Sequence, residues 1–215
     1  AWLACVAEGF DPADADAFSR LAADCGLEVN GVYRNTGTVN LTAGGAKIEF
    51  TSFRSDFYRG DGHAPARVTF TDDMETDARR RDFRCNAVYC DLKTGEICDP
   101  LNGRADIAAR RLTATREPVQ VFSEDGLRLL RLARLSAQLG FSPDGETLAG
   151  ARASAKQIDT ITAERIFAEL QLILHADGKY GVRYAHYEGL KLLDAIGVLE
   201  RILPELTAGR GLAQR

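Results

Sequence analysis

Between Glu124 and Arg134 the chain reads EDGLRLLRLAR, with Arg128, Arg131 and Arg134 at every third position among leucines and alanine. At helical spacing the three guanidinium groups and Asp125 drift around one half of a cylinder, while Leu127, Leu129, Leu130 and Leu132 are left to pack. Cations fixed beside a core are costly unless carboxylates or a bound anion compensate them. The planar fork of arginine suits phosphate oxygens. Asp125 and Arg128 stand three residues apart, a spacing at which each can hold the other. Two readings fit this stripe: a solvated charged face on an ordinary helix, or a pocket for a nucleotide.

The elements that would position these groups divide the chain in two. Before Ser123 the pattern is mixed. A helix is expected from Asp11-Pro12 to about Gly26, with Ala17, Phe18, Leu21 and Ala22 inward. Residues 31–41 and 46–53 alternate around Ala43-Gly44-Gly45 and read as an antiparallel hairpin. On its second strand Ile48 and Phe50 share one face and Glu49 points to the other, where chemistry could be placed. Residues 54–66 read as a polar loop and residues 68–70 as a short strand. The acidic run Asp72, Asp73, Glu75 and Asp77 then meets Arg79, Arg80, Arg81 and Arg84, which reads as a solvated, mutually compensated cluster. A second hairpin surrounds Lys93-Thr94-Gly95. From Ser123 helical patterns take over: the arginine stripe up to Gly140, then residues 144–155, 162–175 and 189–203, with Pro204 as a stop. The helix holding Glu164 and Arg165 reads as scaffold.

Composition narrows the function classes. The chain has 215 residues, 45% hydrophobic and 27% charged, with a net charge of -4, so any contact with phosphate must come from a local patch. Five cysteines without a C-x-x-C argue against a disulfide framework and a zinc site, and make a reducing cytoplasm the expected location. His63, His175 and His186 are scattered without ligand spacing. No apolar run approaches the roughly 20 residues that span a bilayer.

Several stretches together resemble the class II tRNA nucleotidyltransferases, the CCA-adding enzymes, and their relatives the bacterial poly(A) polymerases. They are TGTV from Thr36, IEFTSFR from Ile48, RRDFRCNA from Arg80, DPLNGRADI from Asp99, EDGLRLLRLAR from Glu124, TAERIFAEL from Thr162 and GVLERILPEL from Gly197. The resemblance implies an α+β fold: a polymerase-beta-like nucleotidyltransferase palm with a small antiparallel or mixed sheet, then an all-helical neck and the start of a helical body. The corresponding expectation is a head over residues 1–117, a neck with the base pocket over 118–178, and body from 179 to 215. It further implies addition of CMP and AMP to the 3′ end of tRNA from CTP and ATP, with Mg²⁺ as cofactor and tRNA as partner. A poly(A) polymerase or A-adding enzyme of the same fold, or a non-catalytic RNA- or nucleotide-binding relative, are the alternatives.

Residue by residue, the resemblance assigns Arg81 to the nucleotide, Asp82 and Asn86 to the neighbourhood of the ribose, Asp125 and Arg128 to the base, and Arg131 and Arg134 to the phosphate side. Arg84 and Cys85 depart from the usual RRDFTINA but flank the matching residues. The base chemistry stands independently. An aspartate accepts from an exocyclic amino group and an arginine donates beside it, which suits cytosine and adenine; uracil and guanine place an oxygen there. Such an acceptor facing a carboxylate costs about 1 to 3 kcal/mol.

Metal-assisted nucleotidyl transfer needs several carboxylates. The resemblance carries Glu49 as a catalytic and metal-binding residue and implies a D-x-D pair on a strand. That pair is expected within or just before residues 1–6, where Leu3 and Cys5 stand instead. Asp14-Ala15-Asp16 has the spacing but begins a helix. The expectation is therefore a fragment lacking the start of the head, or a degenerate relative that binds without catalysis.

Overall fold

The computed structural model describes residues 11, 14–58 and 65–211. Its first helix, α1 (Ala15–Asp24), is capped by Asp14, whose carboxylate accepts from the Ala17 amide at 2.9 Å. It packs on a three-stranded antiparallel sheet of β1 (Glu28–Tyr33), β2 (Thr38–Ala43) and β3 (Ala46–Thr51). Phe18 stacks on Phe50 with ring centroids 3.8 Å apart, and Val39 and Leu41 join them in a buried cluster. The sheet's opposite face carries Thr38, Glu49 and Thr51, because alternate residues of a strand project to opposite sides.

The hairpin expected over residues 31–53 is only partly correct. β2 and β3 form it around Gly44-Gly45, with Thr38 opposite Thr51. Residues 31–41 are not one strand, however: the chain reverses through a 3₁₀ turn at Arg34–Thr36 and Gly37, so β1 is a separate third strand. Gly37 has φ +60°, and a Cβ there would lie 2.6 Å from the Phe70 ring, so a larger residue would fit neither the backbone nor the space. The loop expected from Arg54 begins instead as a strand. β4 (Arg54–Phe57) pairs antiparallel with β5 (Arg67–Phe70).

Asp73 caps α2 (Met74–Arg80), and Arg54, Arg80 and Arg81 converge at its C-terminal side. Short pairs β6 (Tyr89–Cys90) and β7 (Ile97–Cys98), helix α3 (Gly103–Ala108) and strand β8 (Arg111–Leu112) lead to the helical half. That half comprises α4 (Pro118–Glu124), α5 (Leu127–Leu139), strand β9 (Ser142–Pro143) pairing parallel with β8, α6 (Gly145–Ala153), α7 (Ala163–Leu174), α8 (Asp177–Tyr180) and α9 (Ala185–Ala195). Two four-residue helices follow, α10 (Leu199–Ile202) and α11 (Pro204–Thr207).

Three helix expectations need correction. The run over residues 189–203 is two helices, α9 and α10, parted at Gly197 with φ +75°. The stripe is not continuous with Ser123-Glu124: Asp125 is extended (φ -151°, ψ 107°) and separates α4 from α5. Pro204 does not simply stop a helix; it opens α11, where its missing amide is harmless. The main core lies under α5. Leu129, Leu130 and Leu132 are fully buried with Phe83, Phe122, Ile158, Ile173 and Leu193 around them. Among the described residues no helix is long and apolar enough to cross a membrane.

Candidate nucleotide site

A cleft of about 610 Å³ lies between the polar face of the β1–β3 sheet, the end of α2 and the N-terminal half of α5. Glu49, Arg81, Asp82, Asp125, Arg128, Arg131 and Arg134, drawn from three separate stretches of sequence, all line it. So do Arg54, Asp56, Tyr58, Arg80 and Arg165. Seven arginines therefore face four carboxylates (Glu49, Asp56, Asp82 and Asp125) across one space. The excess of cations suits a polyanion.

Most of these arginines are backed by carboxylates, which is how the fold tolerates them beside a core. Arg131 meets Asp82 at 2.6 Å, Arg134 meets Glu169 at 3.0 Å, and Arg81 meets Asp77 at 2.9 Å. Asp56 lies between Arg54 (3.0 Å) and Arg80 (3.5 Å). Asp77, Glu124 and Glu169 do not line the cleft; they fix guanidinium groups that do.

The expected Asp125–Arg128 pair is not formed. Arg128 pairs with Glu124 at 2.9 Å, four residues back, and Asp125 pairs with Arg165 of α7 at 3.1 Å. The reason is the break at Asp125: extended backbone there turns its carboxylate away from the i,i+3 geometry of a helix. Arg165 is thus a cleft residue and not merely scaffold. Arg128 is 7% exposed. Its Nη1 donates to the Val121 carbonyl and to Glu124, and its Nη2 donates to the Arg80 carbonyl at 2.8 Å. Among the described residues its Nε–H has no acceptor and Nη2, with one N–H given to Arg80, keeps a second. Asp125 accepts from the Leu127 amide on one oxygen and from Arg165 on the other, leaving lone pairs on both.

Asp82 is 4% exposed and fully engaged: Oδ1 accepts from the Phe83 amide and the Asn86 side chain, Oδ2 from Arg131. Burial pushes its pKa up, but Arg131, Asn86 and the Phe83 amide outweigh burial and hold it below the ordinary value. Stability from this pair is complete above pH about 4 and is lost as pH falls through the lowered pKa. An Arg131→Met variant is therefore expected to be clearly less stable than the unsubstituted protein at pH 7, with the gap closing below about pH 4; urea midpoints at pH 7 and pH 3 measure it. A gap independent of pH would contradict the pairing. Glu169 behaves oppositely, its pKa raised by burial against the pull of Arg134 and Arg131.

Glu49 is exposed at the cleft rim on β3. Asp14 and Asp16 cannot join it. They belong to the start of α1, on the far face of the sheet, where Asp14 caps the helix and Asp16 pairs with Arg34 at 2.6 Å. Among the described residues no group of three or more His, Cys, Asp and Glu side chains is arranged to hold a metal ion. The expected positions of the D-x-D pair, and His63, lie outside the described residues. Half-buried Cys85 packs against the main core, and burial first, then Asp82 and Asp106, push its thiol up to about 11. It is neutral at pH 7, consistent with a packing role.

Comparison with known proteins agrees with this architecture. The family described as Poly A polymerase head domain matches residues 12–113, and that described as Probable RNA and SrmB- binding site of polymerase A matches residues 140–209. A CCA-adding enzyme of Lactococcus lactis subsp. lactis is 37% identical over 150 residues, covering 68% of this chain and 37% of that protein. One from Streptococcus uberis is 32% identical over 180 residues, covering 83% and 43%. The crystal structure of the Bacillus stearothermophilus CCA-adding enzyme in complex with CTP aligns with a TM-score of 0.66 at 31% identity, over 80% of this chain and 39% of that one. The chain spans less than half the length of these relatives. Its small antiparallel sheets followed by packed helices are a nucleotidyltransferase palm with a helical neck. The chain belongs to the family of class II CCA-adding enzymes.

Proposed function

We propose that this chain is the head, neck and beginning of the body (residues 1–117, 118–178 and 179–215) of a cytoplasmic CCA-adding enzyme. It adds CMP and AMP to the 3′ end of tRNA from CTP and ATP, releasing pyrophosphate. The reading is supported most by one observation: the Asp125 carboxylate, with lone pairs to spare, and Arg128, with donors on Nε and Nη2 to spare, line the same cleft. Asp125 accepts from the amino group shared by cytosine and adenine, and Arg128 donates to the adjoining ring nitrogen and, in cytosine, to the carbonyl beyond it. Uracil and guanine would bring an acceptor against the carboxylate. One fixed edge thus selects two bases without a template strand. Arg81, Arg131 and Arg134 provide cations for the triphosphate, and Asp82 acts by holding Arg131.

Mg²⁺ dependence belongs to this proposal, with Glu49 as the one assigned carboxylate. The described residues do not by themselves build a metal site, so no step is derived through the ion. Incubating the protein with tRNA lacking its last three nucleotides and labelled CTP or ATP tests the activity. Incorporation of CMP followed by AMP is expected. AMP alone would instead indicate an A-adding enzyme or poly(A) polymerase, and nucleotide binding with no incorporation a non-catalytic relative.

A further inference from the structure

We propose that Asp77 is a positioning residue of the nucleotide site, setting the guanidinium groups of Arg80 and Arg81 and, through the end of α2, tying them to Arg128. Its side chain is completely buried, yet it belongs to a run of acidic residues that otherwise face solvent. One carboxylate collects donors from four residues. Oδ1 takes Arg80 Nη2 at 2.6 Å and the Arg54 amide at 3.3 Å; Oδ2 takes Arg81 Nη2 and the Tyr89 hydroxyl, both at 2.9 Å. Burial first, then Asp77, push that hydroxyl's pKa up to about 12, so it remains a donor. The Arg81 guanidinium also lies 5.2 Å from the Tyr89 ring centroid, which fixes its plane.

The same helix end meets the neck. The carbonyls of Arg79 and Arg81 accept from the Thr115 hydroxyl, Arg79 accepts further from Arg116 Nε at 2.6 Å, and Arg80 accepts from Arg128 Nη2 at 2.8 Å. These are carbonyls that a helix terminus leaves unsatisfied. Arg116 and Arg128 also share Glu124. A shift of α2 therefore moves the phosphate-side cations and the base-side guanidinium together. Asp77 can enforce their spacing because it reaches β4, α2 and β6 from one buried point.

This inference rests on the nucleotide-binding reading, and its test separates the two. CTP affinity is measured by equilibrium titration for the unsubstituted protein, Asp77→Asn, Arg81→Gln and the double variant, each checked for folding by thermal melting. Asp77→Asn is expected to weaken CTP about tenfold in the unsubstituted protein and by clearly less in the Arg81→Gln background, because part of its effect runs through Arg81 and residues acting through one another are not additive. Where Asp77→Asn does not fold, the double variant, with one carboxylate and one cation removed together, is compared with Arg81→Gln directly, and a loss there of about tenfold or more overturns the proposal. Equal CTP affinity for Asp77→Asn and the unsubstituted protein, or a loss from Asp77→Asn as large in the Arg81→Gln background as in the unsubstituted protein, overturns the proposal. If the unsubstituted protein does not bind CTP, the nucleotide-binding reading falls and this inference with it.

Discussion

Replacing Gly126 by alanine is expected to lower stability by about 1 to 3 kcal/mol and to abolish discrimination among the four ribonucleoside triphosphates. Gly126 is not needed for an unusual torsion: its φ of -58° suits any residue. It is needed for space. A Cβ at this position would lie 2.3 Å from the Gln157 carbonyl oxygen and 2.6 Å from its carbon, and both are backbone atoms of the 3₁₀ turn Ala155–Thr160 that cannot swing aside. The start of α5 would have to move away from that turn, carrying Asp125 with it. A misplacement of about 1 Å in a positioned group can cost about 100-fold. Urea denaturation and the ratio of CTP to UTP affinity measure the two effects. Unchanged selectivity in a destabilised variant would show that the position of Asp125 is not what reads the base.

A second large effect is expected at Arg128. Methionine there retains much of the apolar stem but removes donors to the Val121 and Arg80 carbonyls and to Glu124. Glu124 keeps Arg116 at 2.6 Å, so it is not left as a lone buried charge. The expected loss is therefore about 2 to 3 kcal/mol, below the value for an orphaned buried ion. Selectivity among bases should vanish with it. Arg128→Lys separates the two consequences. An ammonium can still reach Glu124 and recover part of the stability, but it has no planar pair of donors and should not restore base selection. A lysine variant that selects CTP and ATP as well as the parent would remove the guanidinium from the recognition scheme.

The parts of this site that could be read from the chain are those fixed by short-range pattern. Arg128, Arg131 and Arg134 recur at a helical interval, and α5 places all three on the cleft. Glu49 alternates with Ile48 and Phe50, and β3 turns it away from α1. The parts that could not be read depend on distance or on a single backbone break. Arg165 reaches Asp125 across 40 residues, with no local signal that its helix packs there. The Asp125–Arg128 spacing predicts a pair, but Glu124 offers the better i,i+4 geometry once Asp125 leaves the helix. Gly126 carried that information in principle, since glycine beside a charged helix start invites close packing, although its partner at Gln157 is 31 positions away. By sequence Asp77 is one acid in a run that reads as solvated. Its spacing of three and four residues from Arg80 and Arg81 was the available clue, and only the packing of β4 and β6 over it makes it a buried hub.

The boundary between β1 and β2 is hidden for a related reason. Residues 31–33 and 38–41 are strand formers on either side of Arg34-Asn35-Thr36-Gly37, and the reversal there depends on Gly37 adopting a left-handed torsion against Phe70. Tertiary contact decides such a turn more than local preference does.

The direct test of base reading is equilibrium binding of CTP, ATP, UTP and GTP to the unsubstituted protein under one set of conditions. CTP and ATP should bind at least about tenfold more tightly than UTP and GTP, the difference expected from one acceptor set against a carboxylate. Equal affinity for all four would mean that Asp125 and Arg128 do not read the base, whatever else the cleft holds.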